Sequence, residues 1–154
     1  MKKVIFILCC ILVLFAPYAK AVTSSPGLLQ KLDDMWKWAK QETNVTTNAK
    51  RPPIFISTPE KFDPICRYYA GKKYDCDRVS GFYRIDEKVI HVREQNNSAR
   101  VDRTIIHEMT HALQHIEYGS KYMLDPKNND WLEIEAHTIG DRYVIDEYGL
   151  IIMD

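Results

Sequence analysis

His107, Glu108 and His111 stand in the run Thr104-Ile-Ile-His-Glu-Met-Thr-His-Ala-Leu-Gln-His115, an HExxH pattern. Residues four apart on a helix lie one above the other on the same face. Both imidazoles therefore reach a single ion, while Glu108, next to the first, touches water held by that ion. This is the arrangement of a zinc hydrolase. The ion lowers the pKa of water from about 15.7 toward roughly 7, and a carboxylate beside it takes the proton as hydroxide attacks a carbonyl. The bare pattern arises by chance in roughly one chain in a hundred of this composition, so its context carries the weight.

Two histidines on one helix need a third protein ligand, which catalytic zinc commonly takes as a Glu from a second helix. Glu133 and Glu135 are the candidates. Glu133 shares a helix face with Ala136, Gly140 and Val144, small side chains that allow close approach to the HExxH helix. Glu135 shares its face with the bulkier Ile139 and Arg142, so Glu133 is favoured. His115 is not a third ligand: on a continuous helix it lies about 12 Å along the axis from His107, with no glycine turn to bring it back. It is expected at the surface, and His91 is expected to point outward from a strand.

The elements that must hold these residues are readable. Asn97 or Ser98 caps a helix that runs to Tyr118, with Ile105, Met109, Ala112, Leu113 and Ile116 at helical spacing and Gly119 as its stop. Just before it, Gly81 to Ile85 and Val89 to Arg93 flank Asp86-Glu-Lys88 as a hairpin. After it, a polar loop from Leu124 to Asp130 leads into a helix from Trp131 to about Tyr148, ended by Gly149, with an apolar tail Leu150 to Met153. Upstream, a packing helix carries Leu28, Leu32, Met35, Trp36 and Ala39 on one face. A polar loop over Thr43 to Pro53 leads to a short strand, Ile54 to Ser57, and a short helix over Pro59 to Tyr69 carries Cys66.

Met1-Lys-Lys, an uncharged run from Val4 to Phe15, and Ala19-x-Ala21 form the three parts of a secretory signal, so the mature chain is expected to begin near Val22. The apolar run of about a dozen residues is well short of the roughly twenty that span a bilayer. No lasting membrane anchor is therefore expected, and the protein is expected to be secreted or periplasmic. Export leaves Cys66 and Cys76, expected to form a disulfide closing a loop of about ten residues, worth roughly 2 to 3 kcal/mol. Asn44-Val-Thr46 and Asn96-Asn-Ser98 are formal glycosylation acceptors.

Removing residues 1–21 takes away Lys2, Lys3 and Lys20 and no acid, leaving 18 basic against 21 acidic groups, a net charge near −3. Such a chain lacks the basic stripe that nucleic-acid binding requires. The mature part fits one domain with a modest core, expected as a monomer.

His107-Glu-Met-Thr-His111 and Glu133-Ile-Glu-Ala136 together give the chain a resemblance to the gluzincin metallopeptidases, particularly the small ones called minigluzincins. It covers roughly Phe82 to Tyr148. The first motif is specific; the second resembles the Glu-x-x-Ala element that supplies the third ligand in related peptidases. The resemblance implies an α+β zincin-like domain, zinc held by His107, His111 and Glu133, Glu108 as general base, and an edge strand before the metal helix that binds a peptide or protein substrate. One position departs from the pattern. Such families often carry Asp four residues after the ligand Glu, where it orients a zinc-bound His; here His137 occupies it, and Asp141, one turn on, is a substitute to examine. Two other functions fit the same residues: a zinc-binding interaction protein without turnover, and a zinc amidase acting on a cell-wall or other non-protein amide.

Overall fold

The HExxH helix expected from periodicity is the central element of the fold. A computed structural model describes residues 26–70 and 75–149; the expected signal over residues 1–21 and the apolar tail from Leu150 lie outside them. The order is α1 (Pro26–Glu42), β1 (Ile54–Ser57), α2 (Pro59–Ala70), a 3-10 turn (Cys76–Arg78), β2 (Gly81–Arg84), β3 (Val89–Arg93), α3 (Ser98–Tyr118), α4 (Ser120–Met123), a second 3-10 turn (Pro126–Asn128) and α5 (Asn129–Tyr148). This is a mixed helix and sheet domain of the α+β kind.

The helix α3 begins where Asn97 Oδ1 accepts from the backbone N–H groups of Ala99 and Arg100, at 2.9 and 3.3 Å. Two of the four donors that a helix start leaves open are thereby satisfied. It ends at Gly119, whose φ of +79° suits a residue without Cβ. Ile105, Ile106, Met109, Ala112 and Leu113 are buried along it. Ile116, expected on that face, is exposed instead; it lies in the last turn, where α3 runs past the core. The polar stretch before α5 also differs from the expected loop. Asp125 caps a 3-10 turn by accepting from the Lys127 N–H, with Pro126 in the first position, where its missing N–H costs nothing.

The sheet has the order β1-β3-β2, with β1 parallel and β2 antiparallel to β3. Of the two hairpin strands before the HExxH helix, β3 is the middle strand, with β1 on one side and β2 on the other, and β2 is the one that lies at an edge. The edge facing α3 belongs to β2. Ile90 and Val92 point from β3 into the core, which also takes Leu32, Met35, Trp36 and Ala39 of α1 and the apolar face of α3. Lys31 on α1 and Tyr148 at the end of α5 both bond the buried Asp102 of α3, tying three helices together.

A smaller core of Phe62, Cys66 and Cys76 lies under α2, backed by Val79 and Phe82. Cys66 and Cys76 form a disulfide, with Cα atoms 5.9 Å apart. Helices α3 and α5 pack face to face through Ala136, Gly140 and Val144, all buried. A Cβ at Gly140 would lie 3.1 Å from the Arg103 carbonyl oxygen and 3.7 Å from His107 Cβ, so this glycine sets how near α5 comes to α3.

Candidate metal and catalytic centre

That close approach brings a carboxylate to the two histidines. The helical spacing of His107 and His111 places their Nε2 atoms 3.1 Å apart. Glu133, in the second turn of α5, reaches across to both: Oε2 is 3.4 Å from His107 Nε2 and Oε1 is 3.4 Å from His111 Nε2. The imidazole side chains are only 14 % and 12 % exposed, and Glu133 is half open at 42 %. Four-coordinate zinc, with bonds of about 2.0–2.1 Å to imidazole nitrogen and carboxylate oxygen, holds its ligand atoms about 3.3–3.4 Å apart at tetrahedral angles. The observed separations and the donor types fit such an ion.

His137 adds a further donor. Its ring centroid is 4.5 Å from that of His107, and His107, Glu133 and His137 offer ligand atoms that all lie within 4.8 Å of one another, a group able to hold a metal ion. Two ligand sets thus share His107 and Glu133. The set completed by His111 is the tighter, at 3.1–3.4 Å, and its two histidines are largely buried. His137 is exposed and stands at the outer side of the same centre. Glu135, the competing candidate for third ligand, faces elsewhere: its Oε2 accepts from Gln114 Nε2 at 2.8 Å.

Glu108 is buried, with 4 % of its surface exposed, under the edge of β2. A Cβ at Gly81 would meet Glu108 Cγ at 3.2 Å and Thr104 Cγ2 at 2.6 Å. Only a glycine lets the strand lie so close. The Arg93 N–H bonds the Ser80 carbonyl, and with Gly81 opposite Val92 and Tyr83 opposite Ile90, the antiparallel alternation turns the N–H and C=O groups of Gly81 and Tyr83 away from β3. The Tyr83 N–H accordingly reaches the Glu108 carboxylate. The outward edge of β2 therefore runs along the face of α3 that carries Glu108.

The electrostatics follow from this crowding. In the metal-free chain, burial works against a charged His111, but the Glu133 carboxylate at its Nε2, helped by Glu108, more than offsets it and holds the imidazole up at about 9. The hydrogen bonds from His107 and His111 hold the Glu133 carboxyl far below its usual range. Burial pushes the Glu108 carboxyl up, against the pull of the two histidines. Burial, then the positive neighbours His107 and Arg103, hold His137 below its usual value.

Other polar residues around the site make contacts of their own. Asp141 does not orient His107: its Oδ1 takes the Arg103 Nε–H, and His107 Nδ1 has no hydrogen-bond partner among the described residues. His115 is half-buried rather than a surface residue, with Nδ1 at 2.9 Å from the Tyr83 hydroxyl and Nε2 at 2.7 Å from Ser120 Oγ. His91 does turn to the outer face of the sheet, where it stacks between Phe55 and Phe82. Arg142 pairs with Glu42, and Tyr118 and Tyr122 cluster with Trp131.

Gln114, which the sequence reading passed over, is 2 % exposed and bonds His111 Nδ1 through Oε1 at 2.8 Å. A polar residue one turn after a metal-motif histidine, in line with its face, was the available signal. No protein-family model, curated protein or solved structure matches this chain.

Proposed function

We propose that this chain is an exported zinc-dependent metallopeptidase of the gluzincin kind, with His107, His111 and Glu133 as ligands and Glu108 as general base. The observation that carries the reading is the convergence of two imidazoles and one carboxylate from a neighbouring helix at 3.1–3.4 Å, with a separate buried carboxylate beside them and the outward edge of β2 above. Zinc in such a donor set supplies a Lewis acid and acidifies water toward neutral pH.

The chain's own residues do the rest. An extended peptide laid along β2 gains main-chain hydrogen bonds from the outward N–H and C=O groups of Gly81 and the C=O of Tyr83, the Tyr83 N–H being taken by Glu108. That pairing brings a backbone carbonyl over Glu133 and the histidine pair. Glu108, made more basic by burial, takes a proton from the attacking water and returns it to the leaving amine. Its neighbours Gly81, Thr104 and the Tyr83 N–H hold the carboxylate in place. The disulfide supports an oxidising compartment, and among the described residues no helix is long and apolar enough to cross a membrane.

A non-catalytic zinc-binding role is the second reading, favoured by one observation: His137 stands within ligand range of His107 and Glu133, so a fourth protein donor would fill the position that water or substrate needs. One variant separates the two. Glu108→Gln should keep full zinc and lose hydrolysis of a peptide library by about 10²- to 10⁴-fold. Unchanged hydrolysis in that variant would remove Glu108 from the chemistry, and zinc-bound wild type without any hydrolysis would favour the binding role.

A further inference from the structure

Gln114 is a buried amide whose hydrogen-bonding groups are all engaged. Its Nε2 donates to the Leu132 carbonyl oxygen at 2.9 Å and to Glu135 Oε2 at 2.8 Å. Both of those partners can only accept, so that end of the amide must be the NH₂. The other end, 2.8 Å from His111 Nδ1, is then the carbonyl oxygen, and Nδ1 must carry the proton. The remaining ring nitrogen, Nε2, faces His107 Nε2 and Glu133 Oε1. One side chain thus sets the tautomer and the ring angle of His111.

The same side chain acts on the other helix. Leu132 directly precedes Glu133, and the bond to its carbonyl pins the first turns of α5 against α3. Glu135 serves as the acceptor that keeps the amide from turning over. His107, by contrast, has no partner on Nδ1 among the described residues. Among the described residues, the orienting contact on a ring Nδ1 of this pair is made on His111.

We propose that Gln114 is a positioning residue that presents His111 Nε2 and Glu133 together as one prepared ligand pair, with Glu135 holding its amide in orientation. This rests on the metal-site reading above. Outer partners of this kind typically change metal affinity by about 10- to 100-fold when removed.

The test measures zinc dissociation constants by chelator competition for the wild type and for Gln114→Met, an unbranched apolar replacement, with thermal unfolding of the metal-free forms as the control for folding. A folded Gln114→Met that binds zinc about 10- to 100-fold more weakly is the expected result. A folded variant that binds zinc as tightly as the wild type overturns the inference and leaves the metal site standing. Should the variant not fold, proton NMR of the zinc-loaded wild type decides: a downfield His111 Nδ1–H that exchanges slowly with solvent supports the inference, and a rapidly exchanging one contradicts it. A wild type that takes up no zinc overturns the metal-site reading itself, and the inference with it.

Discussion

At the scale of single residues, the candidate metal centre carries an ion pair that a cation could enter. Imidazolium on His111 and carboxylate on Glu133 face each other at 3.4 Å, and a metal ion would replace the proton between them. His111 is raised from 6.5 to about 9 by this partner. Its contribution to stability is fully present below its unfolded value near 6.5 and is lost as pH rises through about 9. The metal-free protein should therefore lose thermal stability between pH 6.5 and 9. Glu133→Gln should flatten the slope, and a wild-type melting temperature constant over that window would contradict the pairing. The same proton must leave when zinc enters, so calorimetric titration at pH 7 in buffers of different ionisation enthalpy should detect proton release on binding. The HExxH triad was visible in the sequence because helical spacing alone brings His107, Glu108 and His111 together. Gln114 was not, because its role depends on acceptors supplied by α5, and a single glutamine on a largely apolar face carries no periodic signal of its own.

The elements show where local pattern stops being enough. Two apolar-rich runs flanking a polar turn marked β2 and β3 as a hairpin, and the apolar spacing with its caps marked α3 and α5, since these signals sit within a few neighbouring residues. Sheet order was hidden. β1 arrives from far upstream to pair parallel with β3, and nothing local to Val89–Arg93 announces a second partner. The same limit applies to Gly81. Its need for a missing Cβ arises from Thr104 on another element, at 2.6 Å from where that carbon would stand. Gly81→Ala should destabilise the fold by about 1–3 kcal/mol through overpacking. Adding Thr104→Ser, which removes the opposing methyl and keeps the hydroxyl that bonds the Arg100 carbonyl, should recover part of that loss in thermal denaturation. No recovery would mean that the close approach of β2 to α3 is set by other contacts.

Over the whole molecule, a main core and a smaller one divide the work. The main core of α1, β3, α3 and α5 fixes the candidate ligands, and the smaller core of Phe62, Cys66 and Cys76 anchors α2 beside the hairpin. Reducing the disulfide, which closes a loop of sequence separation 10, should cost about 2–3 kcal/mol in denaturant unfolding. Zinc content should be unaffected, because neither cysteine lies among the candidate ligands. Zinc at a hundredfold excess over its dissociation constant should add about 2.7 kcal/mol to stability. The most direct measurement is the zinc content of the purified chain by elemental mass spectrometry, with Glu133→Ala beside the wild type. About one zinc per wild-type chain, lost in the variant, is the predicted result. A wild type that takes up no zinc when supplied with it, or a Glu133→Ala chain that holds zinc as fully as the wild type, would contradict the three-ligand site.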